Sequence, residues 1–311
     1  MRPALPAAIV FPCDRDSLQL AQSGAFAGYL APVLVGPEDR IRDAAAKAGL
    51  DISRLSIIDT ADDPRASGLR AAELARDGKV SALIKGNMSD GDLLAPVAAP
   101  ESGLRTDRRL SHAYFVDLPG RPNGMFVADA QLNVAPNLAA KKDIVANTIE
   151  LAHAIGIATP GVALLAAMDY VTPAFVSTAD AAALKTMAAQ GLFGSAFVEG
   201  PLTADSALSA DAARANGIKS EIAGRPDVLI APTMEAASLV VRTFTGLTGG
   251  LAAGIVLGAT IPIVIPARTD SMEVRMASCV LALLALMARS EGAGSGGKPA
   301  LAPAEATRVA A

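Results

Sequence analysis

Short apolar runs bounded by Gly, Pro or Asp recur along the chain, and each gives way to a longer stretch where apolar residues return at helical spacing. The first run, Ala7 to Phe11, leads through Pro12-Cys13-Asp14 into a helical stretch that includes Leu20 and Ala27. Pro32 to Val35 precedes a helix at Glu38 to Ala48, and Leu55 to Asp59 precedes one at Ala66 to Arg76. A fourth run, Ala82 to Ile84, ends in the polar turn Lys85-Gly86-Asn87-Met88-Ser89-Asp90. Apolar runs of this kind are strands buried on both faces. Their alternation with helices predicts an α/β fold with a mostly parallel sheet, right-handed crossovers and helices on both faces.

Between Glu101 and Asp129 the rhythm changes. Two strand candidates, Ala113 to Asp117 and Met125 to Ala128, are separated by Pro119-Gly120-Arg121-Pro122-Asn123-Gly124, turn chemistry that predicts an antiparallel hairpin. After Asn133 a long helix, Leu138 to Ile155, reads as the crossing into a second domain. There strands are expected at Val162 to Ala166, Ala196 to Glu199 and Val228 to Ile230, and helices at Ala179 to Gln190, Ala207 to Ala215 and Glu235 to Gly246. The stretch from Leu251 to Ile265 then reads as one buried strand of the parallel sheet, and helical spacing resumes at Met272. The resulting division is a first α/β domain of residues 1–138 with 272–289, a second of residues 139–271, and a Gly-, Ala- and Pro-rich flexible tail over 290–311.

Composition narrows the classes of function. The chain has 311 residues, half of them apolar, so it can bury a substantial core. A net charge of −4 with no Trp and 4% aromatic residues argues against nucleic-acid binding, which calls for a basic face and stacking rings. No apolar stretch is long enough to span a bilayer without a Gly or Pro break, and the N-terminus lacks the long apolar region of a signal peptide. Cys13 and Cys279 lie far apart without paired spacing, which points to a reducing cytoplasmic setting and no zinc site.

Candidate chemistry collects at strand ends. Arg268, Thr269, Asp270 and Ser271 follow the last apolar stretch directly, where α/β proteins bind ligands and where the next helix offers unpaired N–H groups to an anion. The competing reading is an ordinary helix start capped by Asp270 or Ser271, with Arg268 solvated. Lys85 and Asn87 follow another strand end, and Gly86 would let backbone approach a ligand closely. Arg105, Arg108 and Arg109 precede Ser111 and His112, either as an anion grip or as a solvated charge run. Asp129 and Asn133 close the Met125 strand, and Glu235 and Ser238 open a helix after Val228 to Ile230. His153, among apolar neighbours, reads as structural.

Three familiar signatures are missing. No dinucleotide fingerprint follows the first strand, and no Gly-x-Ser-x-Gly elbow occurs in the folded region. Gly292 to Gly297 followed by Lys298 imitates a phosphate-binding loop, but Pro299 stands where a Ser or Thr would hold magnesium and no apolar strand precedes it.

An ordered series of segments resembles the phosphate acetyl/butyryltransferase family, especially its butyryl-type branch. It comprises Pro12-Cys13-Asp14, LVGPEDRI at Leu34 to Ile41, IKGN at Ile84 to Asn87, SGLRTDRRLSHAYFVDLPG at Ser102 to Gly120 and FVADAQLNVAPNL at Phe126 to Leu138. It continues with EGPLTADSAL at Glu199 to Leu208, PTMEAASLV at Pro232 to Val240 and the stretch from Ala252 to Cys279, so that it covers roughly residues 7–288. The resemblance implies two three-layer α/β/α domains with a cleft between them, similar to isocitrate and isopropylmalate dehydrogenases, and a homodimer. It implies reversible transfer of a short-chain acyl group between coenzyme A and inorganic phosphate, with coenzyme A as substrate and neither a further cofactor nor a metal.

The resemblance matches Arg268 to the arginine of the family's Ser-Arg pair; with it Asp270 and Ser271 are the catalytic candidates, Asp270 being by its position the preferred base for the thiol. For coenzyme A and phosphate binding the candidates are Lys85, Asn87, Arg105, Arg109, Ser111, His112, Asp129, Asn133, Glu235, Ser238 and Gly258. Two departures fall at the site. Ala267 stands where relatives have the serine of a Ser-Arg pair, and Ser238 lies in an altered Pro-Asp-Leu-Glu-Ala-Gly-Asn segment. They keep a second reading open, a catalytically weakened protein that binds acyl-CoA or acyl phosphate. A decarboxylating dehydrogenase of the same fold is disfavoured by the lack of clustered acidic metal ligands around Asp270.

Overall fold

The computed structural model describes residues 4–293. All of its strands join one 11-stranded sheet in the order β3-β2-β1-β4-β11-β10-β5-β6-β9-β7-β8. One flank holds β1 (Leu5–Val10), β2 (Leu30–Gly36), β3 (Ser56–Asp59), β4 (Ala82–Lys85) and β11 (Ile263–Val264). These strands run parallel. The other flank holds β6 (Met125–Ala128), β9 (Val228–Ile230), β7 (Gly161–Leu165) and β8 (Phe197–Leu202), again parallel to one another. Between them lie β10 (Leu251–Leu257) and β5 (Ser111–Asp117), mutually antiparallel.

The expected hairpin of β5 and β6 is present. The stretch expected as one parallel strand is instead two. β10 runs antiparallel to β5 and to β11, and only β11 continues the parallel pattern beside β4. The cause is the turn at Gly258, where φ is +88° and a Cβ would meet the carbonyl oxygen of Arg109. Thr106 Oγ1 donates to the Gly258 carbonyl at 2.7 Å and holds this turn.

The helices begin and end as their flanking residues dictate. Asp14 caps α1 (Arg15–Phe26), Asp63 caps α3 (Pro64–Arg76), Asn137 caps α5 (Leu138–Ala154) and Thr233 caps α9 (Met234–Thr248). Gly49 and Gly249, both left-handed, stop α2 (Glu38–Ala48) and α9. A helix not anticipated, α4 (Asp90–Ala98), starts at the Ser89 cap and tolerates Pro96 near its end. The stretch Ala207 to Ala215 is two short helices, α7 (Ala204–Leu208) and α8 (Ala210–Ala215), because Ser209 breaks the first and caps the second. Between β7 and β8 lies α6 (Val176–Ala189). The last helix, α10 (Met272–Ala293), runs past the point where the tail was expected to begin, and residues 294–311 lie outside those described.

Core packing differs on the two faces. On one face α1, α2, α5, α6 and α10 share a single continuous apolar cluster that spans both flanks. On the opposite face the packing splits. Val256, Leu83 and Ile263 join α3 and α4, whereas Ala252, Tyr114, Val116 and Val127 join α7 and α9. The division passes through β10 at Gly254, between Ala252 and Val256, so the two lobes meet over a groove whose floor is β10 and β5. This is the three-layer α/β/α architecture with a cleft that the sequence implied. Phe115 and Met125 are core: Phe115 packs edge-on against Phe126 at 5.1 Å, and Met125 is buried.

Candidate active site

The carboxyl ends of β1, β4 and β11 come together beside the N-termini of α1 and α10. The space they leave is a cavity of about 350 Å³ lined by Asp14, Arg15, Asp16, Lys85, Gly86, Asn87, Met88, Pro266, Arg268 and Arg275. Arg268, Lys85 and Asn87, separate in sequence, are thus brought to one crevice. Gly86 is needed for packing: a Cβ there would lie 2.6 Å from the carbonyl oxygens of Val10 and Phe11. The glycine therefore serves close contact between the end of β4 and β1, at a position that also lines the crevice.

The loop from Ala267 to Ser271 is rigidly held. Asp270 Oδ2 accepts from the Ala267 N–H at 2.8 Å, and Ser271 Oγ accepts from the Val274 N–H at 3.3 Å. Ser271 is therefore the helix cap, as the plainer reading had it. Arg275, only 7% exposed, reaches back under the loop and donates to the carbonyls of Asp270 and Ala267, each at 3.1 Å. The backbone of Arg268 is thereby fixed while its side chain stays exposed, and it enters no ion pair among the described residues.

Next to this crevice lies the groove floor. His112 and Tyr114 project from β5 into it, edge to face at 4.5 Å, over Gly254. A Cβ at Gly254 would stand 2.7 Å from both rings, so glycine is what admits them. Burial pushes the His112 imidazole down to about 4; Asp129 and Asp90 oppose this and Arg242 adds to it. Its Nδ1 is buried without a partner. Burial likewise pushes the Tyr114 hydroxyl up to about 12. That hydroxyl accepts from Gln131 Nε2 at 2.8 Å and from Arg242 Nη2 at 3.4 Å. Arg242, from α9 in the other lobe, also places Nη1 3.8 Å from Asp270 Oδ1. Lys85 Nζ is paired with Asp90 at the start of α4.

Several sequence candidates stand elsewhere. Arg109 lies 3.6 Å from Asp143 and lines a separate cavity of about 250 Å³ with Asn133 and Asn137. Arg105 is exposed, and its backbone bridges to Ala259. Arg108 pairs with Glu150, which Arg289 also holds. Of the two readings of the arginine run, the distributed one holds: among the described residues the three side chains have separate partners or none and form no single grip. Ser111 points to the opposite face of the sheet, where Asn147 Nδ2 donates to it at 2.8 Å. Gly258 serves the β10–β11 turn.

Asp129 is buried and accepts from the N–H groups of Gln131 and Leu132 at 3.0 Å, and from Asn133 Nδ2 at 2.5 Å. It anchors the loop that presents Gln131. Glu235 is exposed and Ser238 half-buried in the first turns of α9. His153, read as structural, is exposed in the last turn of α5 and lines a cavity on the helical face away from the groove.

Four site residues escaped the sequence reading: Tyr114, Gln131, Arg242 and Arg275. Arg275 left a signal, a cation on the inner side of the otherwise apolar start of α10. Arg242 left none, because only the crossing of α9 over the groove brings it to Asp270.

Residues 66–283 match the phosphate acetyl/butaryl transferase family. The chain belongs to that family. Across 276 residues this family member is 43% identical to the phosphate acetyltransferase of Rhizobium meliloti, covering 89% of this chain and 87% of the relative. It is 35% identical over 271 residues to the phosphate butyryltransferase of Clostridium acetobutylicum, covering 87% and 90%. A branched-chain phosphotransacylase from Enterococcus faecalis V583 has the same fold, with a TM-score of 0.78 at 24% identity over 91% of this chain and 99% of that one. The family resemblance read from the sequence is thereby established, and so is the fold it implied. Among the described residues of this transferase no helix is long and apolar enough to cross a membrane, and no His, Cys, Asp and Glu side chains group as metal ligands.

Proposed function

We propose that this family member transfers a short-chain acyl group reversibly between coenzyme A and inorganic phosphate in the crevice beside Arg268. The observation that carries the reading is the unpaired Arg268 in one crevice with Lys85 and Asn87 at the carboxyl ends of β4 and β11, on the same short loop that holds Asp270. Arginine suits the phosphate end of an acyl phosphate, since its planar donors match two oxygens at once. Asp270 is the base. Its carboxylate takes the proton of the coenzyme A thiol, a group that is mostly protonated at neutral pH.

The sulfur then bonds to the acyl carbonyl carbon, and the oxyanion so formed collapses. The carbon–oxygen bond to phosphate breaks, and phosphate leaves with the electron pair beside Arg268. In reverse, phosphate attacks the thioester and Asp270 returns the proton to sulfur. Coenzyme A is the acyl carrier, so the reaction as written calls for no other cofactor. A homodimer is carried over from the family resemblance, and a cytoplasmic setting from the unpaired Cys13 and Cys279.

Thiol release from acyl-CoA with phosphate, and thiol consumption in the reverse direction with acyl phosphate and coenzyme A, test this with a panel from acetyl to hexanoyl. Turnover is expected with the short members, and none across the panel rejects the reading. Ala267, without a hydroxyl, supports the second reading of a binding protein. Calorimetric binding of coenzyme A without turnover would select it.

A further inference from the structure

The groove holds one cation that the reaction above does not use. Arg242 is loosely held at every contact it makes. Its Nη1 is 3.8 Å from Asp270, its Nη2 is 3.4 Å from the Tyr114 hydroxyl, and its guanidinium carbon is 5.7 Å from that ring's centre. The first two are longer than a strong charge-assisted bond, and the third is a cation–π contact near the outer limit of such contacts. The side chain is 46% exposed, and the Asp270 carboxylate it faces is 9% exposed. The contrast with Arg275 is sharp, since that buried guanidinium is spent on backbone carbonyls. Lys85 is likewise committed to Asp90. Arg242 alone among these approaches Asp270 from α9 of the second lobe.

Resting on the acyl-transfer reading, we infer that Arg242 is a phosphate-binding residue that exchanges partners. In the empty groove it covers Asp270 Oδ1. When phosphate or an acyl phosphate enters, the guanidinium turns to the anion and grips it opposite Arg268, leaving Oδ1 to meet the thiol. Substrate entry and exposure of the base are then one event, and a lone thiol finds Asp270 still covered. Tyr114, held by Gln131, is the platform from which the guanidinium turns.

Calorimetric titration of inorganic phosphate and of coenzyme A into wild type, Arg242→Gln, Arg242→Lys, Asp270→Asn and the double variant Arg242→Gln/Asp270→Asn tests this. Arg242→Gln should weaken phosphate binding about 10- to 100-fold, with a smaller loss in Arg242→Lys and coenzyme A affinity held within about twofold. In turnover the loss should fall on KM for phosphate more than on kcat. Asp270→Asn should tighten phosphate binding, and the tightening should shrink or vanish in the double variant, since the two side chains act as partners.

Unchanged phosphate affinity in Arg242→Gln, an equal loss for coenzyme A, or additive effects in the cycle overturns the inference. Wild type that releases thiol from acyl-CoA while the cycle is additive overturns this inference and leaves the acyl-transfer reading standing. Wild type that binds phosphate with the predicted coupling but never turns over removes only the acyl-transfer reading.

Discussion

Arg275 Nε donates to the backbone carbonyl of Asp270 at 3.1 Å, so a helix residue in the core dictates where the candidate base stands. The same guanidinium spans to Ala267 and approaches Asp16 Oδ2 at 3.4 Å, tying the loop to α1 as well. Replacing Arg275 by Met keeps the apolar stem but strands these carbonyls. The expected costs are about 1–3 kcal/mol of stability, read by urea unfolding, and a fall in kcat of about tenfold or more as the loop loosens. A variant of wild-type stability and rate would show that the loop holds itself.

Asp270 is placed to act and not merely to cap, since Ser271 does the capping. In Asp270→Asn the turn to Ala267 can survive through the amide oxygen, so the fold should be retained. Proton removal from the thiol is what disappears. The expected result is a fall in kcat of about 10²- to 10⁴-fold in the thiol-acylating direction, with little change in melting temperature. The loss should narrow as the assay pH is raised toward the thiol pKa, at about 8.5, where hydroxide does part of the work. Retained activity at neutral pH would move the base elsewhere.

Much of the fold was readable because its signals are local. Caps at Asp14, Asp63, Asn137 and Thr233, stops at Gly49 and Gly249, and apolar runs such as Leu83-Ile84 each act within a few residues. The reversal between β10 and β11 was not readable, because Gly258 needs its left-handed turn only when the Arg109 carbonyl is packed against it. The site divides the same way. Arg268, Asp270 and Lys85 stand at strand ends and announce themselves, whereas Arg242 and Gln131 join only when two lobes close over β5. Arg105, Arg109 and Ser111 looked as promising as Arg268 in sequence. A strand has two faces and two ends, and they occupy the wrong ones.

Gly254 is a sharper test of the groove floor than any charged residue. An alanine there would press its methyl group to 2.7 Å from carbons of both His112 and Tyr114. The rings must tilt, and the Tyr114 hydroxyl would then leave Gln131 and Arg242. Overpacking of this kind is expected to cost about 1–3 kcal/mol in Gly254→Ala. Phosphate KM should rise with it, because the platform under Arg242 has shifted. A variant that loses stability but keeps its phosphate KM would separate the floor from the anion site.

His112 should make the protein acid-sensitive in a defined window. In the unfolded chain an imidazole takes up its proton near 6.5, but in the folded groove burial delays this to about 4. Above pH 6.5 both states are neutral and His112 contributes no pH dependence. As the pH falls from 6.5 to 4 the unfolded state binds a proton that the folded state refuses, so stability declines, by about 3 kcal/mol in all. Below about 4 both states are protonated and the decline from this residue ends. Asp129 and Asp90 face the ring and soften the effect, while Arg242 strengthens it. His112→Gln cannot titrate, and the carboxylates common to both proteins cancel in the comparison. Urea unfolding of wild type and variant between pH 7 and 4.5 should therefore show the wild type losing stability more steeply, and parallel curves would mean that the imidazole is protonated in the fold.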